Sequence, residues 1–264
     1  GYKSFLGILI CMFIYIFMGF NIIHIGGKYN LNSYSSFIKT VSPGIWGKIT
    51  QLFTTICLIT SSSIILAGSG SLIHQYFNVP KWVGISIMAV IALITLLRDT
   101  NGLIEINAFI VPCLIIVITT IFLLFLLLSK DTANISYIKT VPSIKGSWFI
   151  SCLLYGSFNS LSCSGVLVPL TSETKDKSSC RLGIFFGALG LTILACMINF
   201  MLLLNVPNIY KYDIPLLYVA NRFGGLIQIF LLGIMWLEMF STEVSDIYSL
   251  SKTLRDVFKI PYKK

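Results

Sequence analysis

Charge is scarce in this chain, and negative charge is the scarcest: ten acidic residues stand beside 19 basic ones and 2 histidines in 264 positions. Only 11% of residues are charged, against roughly 25% in an ordinary soluble domain. This excludes a water-soluble globule, because so thin a polar shell cannot cover a chain that is 56% hydrophobic. Alternating apolar and polar stretches of strand length are lacking as well, which excludes a membrane β-barrel. There is no CxxC pair, no Cys/His cluster, no P-loop, no GxSxG and no HExxH. Without these the chain gives no footing to an enzyme, a resident metal or an organic cofactor.

What is present is a series of long apolar runs. In lipid the backbone must satisfy its own hydrogen bonds, which leaves helices as the solution for continuous runs of this length. Seven can be read, at about Phe5–Ile25, Ile49–Ile73, Val83–Leu97, Leu103–Leu128, Ser147–Val168, Leu182–Leu204 and Phe223–Tyr248. The third is short and is divided from the fourth by a tight turn at Arg98, Asp99 and Gly102. The expected fold class is therefore all-α, a polytopic transmembrane bundle of about seven helices, with residues 1–264 forming a single transmembrane domain. The seven cysteines lie mostly inside apolar runs and read as small buried hydrophobes.

The net charge of +9 is a topology signal and not a nucleic-acid signal. When loops are assigned alternately to two sides, the first holds Lys3, Lys81, Lys130, Lys139, Lys145, Lys211 and Arg222. The second holds Lys28, Lys39, Lys48, Arg98, Lys175, Lys177, Arg181, Lys252, Arg255, Lys259, Lys263 and Lys264. The richer side is expected to be cytoplasmic, so the N-terminus falls outside a cell membrane and the basic tail lies against the anionic inner leaflet. The chain begins at Gly1 without an initiator Met or a signal peptide before Phe5, and a preceding helix is the ordinary way to place that end outside.

Three segments depart from plain lipid-facing helix. The fifth carries small and polar residues from Tyr155 to Gly165 across its middle, including Gly156, Ser157, Phe158, Asn159 and Ser160. Such a stretch can unwind and offer backbone groups and the Asn159 amide to a ligand, as broken helices do in transporters. Close packing through small residues is the competing reading. In the second segment Gln51, Thr55, Ser62 and Ser69 share one face, suited to packing on neighbouring helices or to lining a pathway. The seventh segment places Glu238 about 22 Å along its helix if Phe223 lies at the outer surface. A carboxyl at that depth is expensive and functional by default, and Glu238 is the candidate proton carrier. Glu243 and Asp246 fall at the cytoplasmic edge on this count and are expected to be solvated.

The residues Gly102-Leu-Ile-Glu-Ile-Asn-Ala-Phe-Ile-Val-Pro112, Tyr155-Gly-Ser-Phe-Asn159, Leu167-Val-Pro-Leu170, Asp213-Ile-Pro-Leu216 and Glu238-Met-Phe-Ser-Thr242 carry a resemblance spread along the whole chain. They resemble the YkvI family of bacterial membrane proteins, itself similar to the amino acid–polyamine–organocation superfamily with its LeuT-type fold. The resemblance implies that the seven segments are helices two to eight of a ten-helix inverted-repeat core, without the first helix and the closing ones. It also implies that Gly156 to Ser160 bind substrate, and that Ser241 and Thr242 help to hold a sodium ion. The function it implies is a permease moving a small organic solute of amino acid-like kind, coupled to sodium or protons, with the lipid bilayer and the solute as partners. A permease-like receptor subunit that binds without transport is the alternative. A seven-helix sensory receptor is a weaker one, since the seventh segment lacks a retinal lysine and no Asp-Arg-Tyr or Asn-Pro-x-x-Tyr signature occurs.

Overall fold

The structure is a computed structural model that describes residues 1–31, 33–98, 102–128, 147–173 and 176–258. The predicted turn at residues 99–101, the loop from Lys130 to Lys145, Lys175 and the tail residues Lys259, Lys263 and Lys264 lie outside the described residues. The long apolar runs form long helices: α1 (Lys3–Tyr29), α3 (Ile45–Phe77), α4 (Lys81–Arg98), α5 (Gly102–Leu128), α6 (Trp148–Glu173), α7 (Lys177–Leu204) and α9 (Gly225–Phe258). Two short helices, α2 (Tyr34–Val41) and α8 (Pro215–Asn221), stand between them. Among the described residues, six helices are long and apolar enough to cross a membrane, and Lys81–Leu97 is a shorter apolar helix. At 18 residues, α4 is about 27 Å long, close to the hydrocarbon thickness of about 30 Å.

Helix ends are set by local chemistry. Ser33 caps α2 by accepting from Ser36 N at 3.2 Å, and Ser33 N in turn donates to Ser36 Oγ, a reciprocal capping box. Asp176 caps α7 through Ser178 N at 2.9 Å. Asn30 (φ 49°) and Asn78 (φ 55°) end α1 and α3 in the left-handed conformation, which asparagine tolerates better than most residues.

Contacts between helix ends fix the order of crossing. At one end of the bundle Asn199 donates to Ser4 Oγ at 2.8 Å, Cys152 Sγ to Gly7 O at 3.3 Å, and Gln75 bonds both backbone groups of Ile214. At the other end Lys177 Nζ donates to Gly27 O at 3.2 Å and Gln51 to Ser35 Oγ at 2.7 Å. Phe125, near the close of α5, packs edge-on against Phe200 at the first end, so α5 runs back toward that end.

α9 is the central element, packing against α2, α3, α4, α5, α6 and α8. α1 lies to one side, held by α6 and α7. The main core joins Leu72 of α3, Ile121 of α5, Met201 of α7, Leu217 of α8 and Leu231 of α9. A second core sets Met88, Ala92 and Leu96 of α4 against Phe240 and Val244 of α9. Large apolar side chains also cover the outside, among them Phe13, Phe17, Ile116, Leu127, Phe186 and Phe230. Water gives such a surface no reason to exist, and lipid does.

Candidate functional site: a buried carboxylate pair

Along α9 the residues Met239, Glu243, Asp246, Ser249 and Thr253 recur every three or four positions and so share one face. The apolar Phe240 and Val244 turn toward α4, which leaves the carboxylates directed at α3 and α6. Glu243 is 1% exposed and Asp246 4%. Ser62 Oγ donates to Glu243 Oε1 at 2.6 Å, and the Ser61 hydroxyl lies beside Asp246. Gly165 of α6 closes the wall: a Cβ there would lie 2.4 Å from Ser249 Oγ, so only glycine lets the two helices approach this far.

Two of these contacts also fix the depth. Ser62 stands at the middle of α3, a 33-residue helix. Ser249 meets Gly165, which is about 12 Å short of the end of α6, and Glu243 lies about 9 Å further inward along α9. The pair is therefore level with the middles of α3 and α6. This corrects the sequence expectation that Glu243 and Asp246 are solvated at an edge. Counting from Phe223 fixed the depth by assuming where α9 enters the membrane, whereas its packing on α3 and α6 sets it.

Each carboxylate keeps one oxygen, Glu243 Oε2 and Asp246 Oδ2, buried and without a hydrogen-bond partner. Ser249 Oγ and Ser162 Oγ of α6 are in the same condition. Among the described residues, the groups beside the two acids are hydroxyls and not cations. Two carboxylates three residues apart, closed off from water, cannot both carry charge unless a proton or a cation neutralises it. The free oxygens are hard donors of the kind that protons and small alkali cations take.

The residues predicted from sequence are placed differently. The stretch Gly156 to Ser160 is not unwound: α6 is one continuous helix from Trp148 to Glu173. Small and hydroxylated side chains fit a helix when their groups bond the preceding turn, and here Asn159 donates to Tyr155 O at 2.9 Å and Ser160 to Gly156 O at 2.8 Å. Gly156 packs on α1, where a Cβ would meet Ile14 at 3.0 Å. Ser157 is exposed, and Phe158 and Asn159 are half-buried. Of the predicted coupling group, Glu238 is exposed. Ser241, 4% exposed, donates to Asn107 Oδ1 of α5 at 2.5 Å, and Thr242 back-bonds to Glu238 O at 3.0 Å.

The polar face read on α3 packs against neighbours: Gln51 holds α2, Ser62 holds α9, and Ser69 is fully buried. That face and the Glu243/Asp246 spacing were the signals that together mark the site. Sequence alone did not show that they meet.

No family model matches the chain. It is 26% identical over 263 residues to the uncharacterized membrane protein YkvI of Bacillus subtilis (strain 168), covering 100% of this chain and 75% of that protein. It is also 21% identical over 261 residues to the uncharacterized protein YyaD of the same organism, covering 99% of this chain and 75% of that one. The chain is a multi-pass membrane protein whose described elements are all helical, and its likeness to YkvI over 263 residues bears out the resemblance to the YkvI family of bacterial membrane proteins.

Proposed function

We propose that the chain is the core of a secondary transporter, a permease that moves a small organic solute together with a proton or a sodium ion. It acts by binding and moving and not by covalent chemistry. The observation that carries the reading is the carboxylate pair, Glu243 and Asp246, enclosed level with the middles of α3 and α6 with one oxygen of each unpartnered among the described residues. A protein built only to sit in a bilayer gains nothing from burying two acids there. The coupling cation is assigned to this pair and not to Glu238, which is exposed. Solute contacts fall to Ser157, Phe158 and Asn159 of α6, which remain accessible, while Gly156 and Ser160 support them from the buried side. An amino acid-like solute, a partial LeuT-type core, and a cytoplasmic side carrying Lys28 and the basic tail complete the reading. These rest on the family resemblance and on basic-residue asymmetry.

The test is uptake of a mixture of radiolabelled amino acids into proteoliposomes, with inward sodium and proton gradients imposed separately. Uptake driven by one of the two gradients and lost in Glu243→Gln is the expected result. Saturable binding without uptake under either gradient would replace the transporter by a receptor subunit.

A further inference from the structure

The close packing of α1 on α6 brings two thiols together near one end of the bundle. Cys11 Sγ lies 3.9 Å from Cys152 Sγ across 141 residues of sequence. The Cys11 thiol faces Cys152 O at 3.5 Å, and the Cys152 thiol faces Gly7 O at 3.3 Å. The two side chains are 7% and 8% exposed, and both line a cavity of about 790 Å³ between α1, α6 and α7, with Tyr15, Trp148, Tyr155 and Thr192. The other five cysteines are half-buried or exposed. Among the described residues no other pair of thiols is in such contact.

We propose that Cys11 and Cys152 are a disulfide-forming pair, oxidised through this cavity by a low-molecular-weight disulfide. A disulfide needs an S–S distance of about 2.05 Å, so the sulfurs must close by roughly 1.9 Å. A staggered turn about χ1 of either residue moves its sulfur further than that. The chemistry is two exchanges. One protein thiol loses its proton and attacks a sulfur of the reagent, forming a mixed disulfide and releasing one small thiolate. The second protein thiol loses its proton and attacks the protein sulfur of that intermediate, forming the Cys11–Cys152 bond and releasing the second small thiolate. Two protein S–H bonds are replaced by one S–S bond, and the reagent takes up the two electrons and both protons as two thiols.

The pair sits at the end shared with the Ser4–Asn199 and Gln75–Ile214 contacts, the end that basic-residue asymmetry assigns to the outside, where disulfides persist. The bond would tie α1 to α6 along the wall of the cavity. It stands whether or not the chain transports anything.

The experiment treats the purified protein in nanodiscs with cystamine, alkylates remaining thiols after denaturation, and maps peptides by mass spectrometry without reduction. A linked pair of peptides containing Cys11 and Cys152, lighter by two hydrogens than the sum of the two, is the expected product, with the other five cysteines separately accounted for. In Cys11→Ser the intermediate has no second thiol to resolve it, so Cys152 should accumulate as a mixed disulfide with half of the reagent. The mirror variant Cys152→Ser should trap Cys11 in the same way. Recovery of both residues alkylated after oxidation of the folded wild-type protein would overturn the proposal. A cross-link from Cys152 to any other cysteine would also do so.

Discussion

Ser62 and Glu243 are 181 residues apart in the chain and 2.6 Å apart in space. This hydrogen bond joins the middle of α3 to α9, and it satisfies one oxygen of a side chain that is 1% exposed while leaving the other unsatisfied. A carboxylate held in this way is positioned but not neutralised. On the proposed function, the unpartnered oxygen is where the coupling proton or cation would be held.

The hydrogen bond predicts an ordering of variants. Ser62→Ala leaves both oxygens of Glu243 without partners and should cost about 1–3 kcal/mol. Glu243→Gln keeps an acceptor for Ser62 and removes the charge, so it should unfold at the wild-type temperature or above it. Ser63→Ala removes only an exposed hydroxyl that bonds its own helix, and its effect should stay within about 0.5 kcal/mol. Thermal unfolding in one detergent compares all three. A loss for Ser63→Ala equal to that for Ser62→Ala would mean that the buried bond has no special weight.

Gly165 gives a second, steric prediction. Alanine there places a carbon 2.4 Å from Ser249 Oγ and 2.7 Å from its Cβ. The Cβ is fixed to the backbone, so α6 and α9 must part, and overpacking of this kind costs typically about 1–3 kcal/mol. Gly165→Ala combined with Ser249→Gly should recover most of the loss. At Gly187 of α7 a Cβ meets nothing within 4 Å, so Gly187→Ala should be neutral or stabilising by up to about 1 kcal/mol. Equal losses at the two sites would contradict the close approach at Gly165.

The sequence made the helices legible because a continuous apolar run has one economical solution in lipid, and every expected segment became a helix. Depth and partnership were less legible. The polar face of α3 was visible from spacing alone, but that Ser62 turns to Glu243 depends on how α3 and α9 are rotated and tilted, which no local pattern encodes. Glu238 stands about one and a half turns from Glu243 along α9 but is exposed where Glu243 is buried, and which acid faces inward depends on the rotation of α9, not on a count along it. The polar run in α6 looked like a break because glycine and serine weaken an isolated helix. In the bundle, packing on α1 and back-bonding by Asn159 and Ser160 keep that helix continuous.

The ion pair Lys81–Asp213 carries a pH and salt prediction. The hydrogen bond from Lys81 and its charge hold the Asp213 carboxyl below the usual aspartate range. A carboxylate depressed in the folded state stabilises above its unfolded value, near pH 3.9, and that contribution is lost as pH falls through the lower folded value. Asp213→Asn should therefore unfold slightly earlier than wild type at neutral pH, and the two should converge in strong acid. Both side chains are about half exposed, at 50% and 48%, so salt near 1 M should erase the difference. A gap that survives both treatments would assign the effect of Asp213→Asn to something other than the ion pair.

The last prediction concerns which side faces the cytoplasm. Lys177 reaches Gly27 O, so the α1–α2 connection and the start of α7 share one side. Lys81 meets Asp213, so the α3–α4 connection and the segment before α8 share the other. The bundle fixes these groupings, and the basic-residue asymmetry assigns the first to the cytoplasm. Single cysteines in a Cys-free background, at Lys28 and Lys177 for the first group and at Lys211 and Tyr212 for the second, can be probed with an impermeant maleimide. Intact cells should label the second pair and spare the first, and permeabilised cells should label all four. Labelling of Lys28→Cys and Lys177→Cys from outside, with the other pair protected, would invert the orientation and leave the bundle as it stands. Labelling of one member of a pair without the other would be more damaging, because it would contradict the groupings that the Lys177–Gly27 and Lys81–Asp213 contacts fix.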